Sequence, residues 1–128
     1  MGPRVLIVDD DPEYGELLAE RLSRRQPALS CEVCTSPEEA LGRCAGCELV
    51  IVDLDMPRLD GGMFLREATR RGLPKNRVVI NSSHDSDELH DRFHLGECLA
   101  VLCKLDARQQ HVLDMILDGV ATRSRRSA

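Results

Sequence analysis

At 128 residues the chain has the size of one compact domain and is too short for two ordinary ones. Its formal net charge of −5 disfavours nucleic-acid binding, which depends on neutralising phosphates. Charged and apolar residues occur at globular levels, which excludes wholesale disorder, and no stretch approaches membrane-spanning length. The apolar run Val5-Leu6-Ile7-Val8 ends at three aspartates and is too short for a signal-peptide core. Gly2 follows Met1, but Leu6 stands where myristoylation needs Ser or Thr. The expected compartment is the cytoplasm, where the six cysteines stay reduced.

Val5 to Val8 reads as a buried strand. Asp11-Pro12 then resembles an N-cap followed by proline at the first helical position, and Leu17, Leu18 and Leu22 repeat at helical spacing to about Arg25. Ser30 to Cys34 is a more mixed strand, suited to a sheet edge. Ser36-Pro37-Glu38-Glu39 is a capping box that opens a short helix through Leu41 and Cys44. Leu49 to Val52 is a continuous apolar strand ending at Asp53. Asp60-Gly61-Gly62 leads into a helix from about Met63 to Arg71, which Gly72 and Pro74 stop. Val78 to Ile80 is a fourth strand, about Asp85 to Leu95 a helix, and Leu99 to Cys103 a fifth strand. Asp106, with Gln109 in the reciprocal position, caps a last helix whose apolar face is Val112, Leu113, Ile116 and Leu117. Residues 1–120 form the domain, and 121–128 read as a frayed basic tail or the start of a linker.

Apolar strands alternating with helices imply a five-stranded parallel α/β sheet covered on both faces. Strand ends carry Asp9 and Asp10, Asp53, Ser82 and Lys104, which all fall along one sheet edge. Ligands of such sheets bind outside the carboxyl ends, where the strand order reverses. In the flavodoxin-like order 2-1-3-4-5, Asp53 lies between the strands bearing Asp10 and Ser82, about 4.8 Å from each strand. Three close carboxylates repel one another unless a cation compensates them, and all-oxygen ligation suits Mg²⁺. A carboxylate can act as the nucleophile that forms an aspartyl phosphate, with Ser82 and Lys104 facing the remaining phosphoryl oxygens.

Val8-Asp9-Asp10-Asp11-Pro12, then Asp53-Leu54-Asp55-Met56-Pro57-Arg58-Leu59-Asp60-Gly61, then Ser82 and Lys104, resemble the pattern of bacterial response-regulator receiver domains over about residues 3–120. The resemblance implies a doubly wound flavodoxin-like fold. It implies phosphorylation of Asp53 by a histidine kinase or phosphotransfer protein. Mg²⁺ would be held by Asp10, Asp53 and the main-chain carbonyl of Asp55, with Asp9 acting through water. It further implies output to a downstream effector protein through the fourth helix, fifth strand and fifth helix, a surface that includes His90, Val101 and His111 and could serve a homodimer. Asp55 and His84 flank the phosphoryl position and would modulate its lifetime.

Three departures from the pattern matter. Val101 replaces the aromatic residue usual on the fifth strand, which puts the output route in question. Leu105 replaces the proline after the lysine; a cis bond there would cost about 2.5–4 kcal/mol, so a trans bond and a displaced loop are expected. The segment from Gly96 to Lys104 is one residue longer than usual.

Other readings exist. Asp53-Leu54-Asp55 resembles the first motif of haloacid-dehalogenase-type phosphatases, with Asp53 as nucleophile and Asp55 as general acid, but Met56-Pro57 and the Asp9-Asp10 pair do not fit that family. A receiver kept only as a phosphorylation-independent binding module is a second alternative. Cys31-x-x-Cys34 and Cys44-x-x-Cys47 look like zinc ligands, but small buried thiols are the better reading, since strand residues three apart face opposite ways. Cys98 and Cys103 read as ordinary packing. His90 and His94, four apart on one helix, have no evident third ligand. Met63, Phe64 and Leu65 read as core. The length leaves no room for an output domain, so either a stand-alone regulator or the receiver portion of a longer protein is expected.

Overall fold

Capping residues in the loops after the strands start the helices. Asp11 Oδ1 accepts from the amides of Glu13 and Tyr14 (3.1 and 3.3 Å), Pro12 occupies the first turn, and helix α1 (Pro12–Arg25) follows strand β1 (Arg4–Val8). Ser36 Oγ caps the amide of Glu39, so α2 (Pro37–Arg43) follows β2 (Ser30–Cys34). Asp60 Oδ1 accepts from the Met63 amide at 2.8 Å and starts α3 (Gly61–Arg70) after β3 (Leu49–Val52). A short 3-10 turn, Lys75–Arg77, leads into β4 (Val78–Ser82). Then come α4 (Ser86–Arg92), β5 (Ala100–Cys103) and α5 (Ala107–Ser127). This computed structural model describes residues 2–94 and 96–127.

The five strands are all parallel in the order β2-β1-β3-β4-β5, as expected. Alternation along each strand divides the core between two faces. Leu6, Val8, Val50, Val52, Val78 and Ile80 point to one face, where Ala40 and Leu41 of α2, Phe64, Leu65 and Ala68 of α3, and Leu89 of α4 cover them. Val5, Ile7, Leu49, Ile51, Val79 and Leu102 point to the other, beneath α1 and α5. Cys34, Cys44 and Cys47 belong to the first cluster, and the Cys44 and Cys47 thiols donate to the carbonyls of Leu41 and Arg43.

Several elements depart from the sequence expectations. Helix α4 ends at Arg92, because Phe93 is extended and its amide closes on the Leu89 carbonyl. His90 and His94 therefore do not share a helix; the expected end of that helix, Leu95, lies outside the described residues. Strand β5 starts at Ala100 and leaves Leu99 exposed. Residues expected to fray after Val120 instead continue α5 to Ser127. The physical reason is burial: Val120 and Ala121 join the apolar cluster of Leu22 and Leu29, and Asp118 ties α5 to α1 by a two-pronged ion pair with Arg25 (2.9 and 2.8 Å). Leu17, Met63 and Val112 are exposed rather than core. The described residues contain no cis peptide bond, so Lys104–Leu105 is trans as expected.

Candidate functional site

The parallel register brings four strand ends to one rim. Asp9 and Asp10 follow β1, Asp53 follows β3, Ser82 ends β4 and Lys104 follows β5. The Asp53 amide donates to the Val8 carbonyl (2.9 Å) and the Lys104 amide to the Ser82 carbonyl (2.7 Å), so sheet pairing continues into the residues that bear the chemistry. Asp9 and Asp53 are 3% and 7% exposed, and Ser82 is fully buried.

Gly61 fixes the floor. Its amide reaches the Leu54 carbonyl at 2.9 Å, and a Cβ there would fall 2.6 Å from the Asp53 carbonyl oxygen and 3.0 Å from Leu54 Cα. Only a residue without a side chain lets α3 start this close to the end of β3. Gly61→Ala should therefore displace the backbone of Asp53 and cost about 1–3 kcal/mol. Urea unfolding alongside wild type checks this; an unchanged midpoint would show that the loop yields freely.

Asp9, Asp10 and Asp53 each offer a carboxylate oxygen, and these atoms lie within 4.8 Å of one another. Lys104 Nζ stands 2.7 Å from Asp9 Oδ2 and 3.3 Å from Asp53 Oδ1. Asp9 Oδ1 also accepts from the Asp11 amide at 3.0 Å. Burial, opposed by the Lys104 charge and reinforced by repulsion from Asp9 and Asp10, pushes the Asp53 carboxyl up to about 6. Burial pulls the Lys104 ammonium down, but its hydrogen bond to Asp9 and the charges of Asp53 and Asp9 outweigh this and hold it above its usual value. Three crowded oxygen donors, one of them kept hard to ionise, fit a small hard dication.

Asp55 does not turn into this cluster. Its carboxylate meets His84 Nε2 at 2.5 Å, while His84 Nδ1 meets Glu88 Oε2 at 2.8 Å. The His84 amide donates to Ser82 Oγ at 3.2 Å, which anchors the imidazole over the same rim. Its hydrogen bond with Glu88, opposed by desolvation and aided by Asp55, raises the imidazole above its usual value. Val101 is half-buried and packs against the cluster on the α3 side of the sheet.

Two features went unread in the sequence. Glu88 lies four residues after His84, the spacing that brings helical neighbours together. Tyr14 puts its ring 4.2 Å from Lys104 Nζ, and its hydroxyl accepts from Asn81 Nδ2 at 2.9 Å. The signal for it was its place in the first turn after the acidic triplet, as the only tyrosine in the chain.

The family model for the response regulator receiver domain matches residues 5–116. The chain belongs to the response regulator receiver family. Its relatives include a protein-glutamate methylesterase/protein-glutamine glutaminase 1 of Syntrophus aciditrophicus, 33% identical over 79% of this chain, and the two-component response regulator ARR11 of Arabidopsis thaliana, 34% identical over 68%. The chain spans only 30% and 16% of those two proteins. Among solved structures, a response regulator receiver domain protein from Clostridium thermocellum has a TM-score of 0.76 at 21% identity, covering 98% of this chain and 99% of that one. The receiver domain of the Francisella response regulator 1452 reaches 0.77 at 22% identity, covering 95% and 98%. At these identities the likeness establishes the fold. This receiver is thus a unit of phosphorelay signal transduction, and the family match does not favour the phosphatase and binding-module readings.

Proposed function

We propose that this receiver accepts a phosphoryl group on Asp53 from a phosphohistidine of a sensor kinase or phosphotransfer protein, or from a small acyl phosphate. An Asp53 carboxylate oxygen attacks phosphorus; the P–N bond of a phosphohistidine or the bridging P–O bond of an acyl phosphate breaks, and the leaving imidazole or carboxylate keeps the electron pair. The observation that carries this reading is the Lys104 ammonium set between the buried carboxylates of Asp9 and Asp53. Asp9, Asp10 and Asp53 would hold Mg²⁺, with the Asp55 main-chain carbonyl added by family likeness. Bound there, the ion supplies the positive charge that offsets the carboxylates and the incoming phosphoryl oxygens. Lys104 and the Ser82 hydroxyl would donate to the phosphoryl oxygens as the phosphoryl group moves toward Asp53.

The domain works as a phosphoacceptor switch in the cytoplasm rather than as a turnover enzyme. No helix among the described residues is long and apolar enough to cross a membrane. Output would use the α4–β5–α5 face, where His90, Leu99, Leu105, His111 and Val112 are exposed, to meet an effector protein or a second copy.

Intact-mass analysis with Mg²⁺ and a small acyl phosphate tests the reading. Wild type should gain one phosphoryl group and Asp53→Asn none. Catalytic release of phosphate from a phosphomonoester, with no acyl phosphate accumulating, would point to the phosphatase instead.

The Asp55–His84 pair closes over the rim, so each side chain holds the other in place. Asp55→Ala and His84→Ala should both hasten loss of the phosphoryl group, by water reaching it more freely. The double variant should add little to either single change, since one contact is removed in all three. Additive effects on the dephosphorylation rate would show that the two residues act separately.

A further inference from the structure

We infer that Tyr14 is a positioning residue for Lys104, and that the chain of contacts Tyr14–Asn81–Gln110–Arg21 carries the state of Asp53 to the seam between α1 and α5. This rests on the phosphoacceptor reading of the site.

Asn81 follows the apolar residues Val78 to Ile80 within β4, a strand inside the sheet, and is 1% exposed. A buried amide is costly unless both its ends are satisfied. Here both are. Asn81 Nδ2 donates to the Tyr14 hydroxyl at 2.9 Å, and Asn81 Oδ1 accepts from Gln110 Nε2 at 2.9 Å. Gln110 Nε2 also donates to the Cys103 carbonyl at 3.0 Å, next to Lys104, and Gln110 Oε1 accepts from Arg21 at 3.4 Å. Arg21 in turn pairs with Asp114 of α5 at 3.4 Å. The donors run in one direction, from the α1–α5 seam to the phenol.

At the other end, the Tyr14 ring lies under the ammonium that bridges Asp9 and Asp53. That ammonium has two alternative sets of partners. Without a phosphoryl group it holds Asp9, Asp53 and the ring face. With one, new anionic oxygens arise beside Asp53, and the ammonium turns toward them at the expense of Asp9 and the ring. Tyr14 then loses the cation that fixes its face, and its hydroxyl shifts against Asn81. The middle of the network, Asn81 and Gln110, is buried and paired on both sides, so such a shift is passed to Gln110 and the seam rather than absorbed by water there. Val101 lacks an aromatic ring, so no ring on β5 shares this task.

Tyr14 is the only tyrosine and there is no tryptophan, so tyrosine emission reports on this residue alone. The full chain is treated with Mg²⁺ and a small acyl phosphate while intact mass, tyrosine emission and amide exchange in α1 and α5 are followed. The expected result is an emission change that tracks the gain of one phosphoryl group, with exchange in α5 changing in step. In Asn81→Leu, mass gain and emission change should persist while the α5 response disappears. Tyr14→Phe keeps the ring and should phosphorylate near the wild-type rate, whereas Tyr14→Leu should be slower by roughly threefold to tenfold. Mass gain in wild type without any emission change overturns the inference and leaves the phosphoacceptor reading standing, and this needs no variant to fold. An α5 response preserved in Asn81→Leu also overturns it. Absence of mass gain removes the phosphoacceptor reading, and this inference with it.

Discussion

Asp53→Asn should be more stable than the wild-type protein at neutral pH without divalent ions, by about 2–3 kcal/mol. Burial is the main reason Asp53 is pushed up to about 6 from an ordinary aspartate value of 3.8. Between those two values the folded chain binds more protons than the unfolded one. Stability from this group is therefore fully present at low pH and is lost as pH rises through about 6. A surface carboxylate paired with arginine has the opposite sign. Asp118, held at about 2 by its hydrogen bonds to Arg25 and Gln26, favours the folded state above its unfolded value and stops doing so only in strong acid. The difference between wild type and Asp53→Asn isolates the Asp53 share. That difference should be near zero below about pH 3, grow between about pH 4 and pH 6 and level off above that. Mg²⁺ should then stabilise wild type more than Asp53→Asn, because the ionised carboxylate is a ligand and the amide a poor one. Urea unfolding of both proteins at several pH values, with and without Mg²⁺, measures all of this. A pH-independent difference would mean that Asp53 is not buried enough to resist ionising.

The pattern of buried strands made the sheet legible, since an apolar run of four or five residues ending in a carboxylate or hydroxyl has few other uses. Asp9, Asp53, Ser82 and Lys104 could be placed together because strand order and direction follow from alternating elements, not from side-chain detail. Side-chain pairing could not be read the same way. Asp55 and His84 were each expected to flank the phosphoryl position, but the direct contact between the two side chains, 29 positions apart, was not. Asn81 falls in the sequence just past the apolar run Val78 to Ile80; only the approach of Tyr14 and Gln110, 67 and 29 positions away, gives its amide partners. Helix ends were the least legible. Nothing local marks the stop of α4 at Arg92, and the continuation of α5 to Ser127 depends on α1 offering a face for Val120 and Ala121.

Lys104→Met should lower the rate of Asp53 phosphorylation by at least about a hundredfold, the usual scale for losing one donor aimed at developing negative charge. Two effects act in the same direction. The ammonium would no longer be there to meet phosphoryl oxygens. Its charge also lowers the Asp53 carboxyl toward the normal range, so its removal drives that group further above about 6 and leaves less carboxylate to act as nucleophile near neutrality. The second effect, unlike the first, is recovered by raising the pH. Phosphorylation of Lys104→Met by a small acyl phosphate should thus keep rising with pH above the range where wild type has levelled, without reaching the wild-type rate. Lys104→Arg keeps a cation but replaces a compact ammonium with a planar guanidinium in a slot only partly open to solvent, where the ammonium reaches Asp9 and Asp53 at 2.7 and 3.3 Å. It should restore the pH dependence more fully than the rate. Equal pH profiles for Lys104→Met and wild type would show that Lys104 acts only on the phosphoryl oxygens and leaves the ionisation of Asp53 alone.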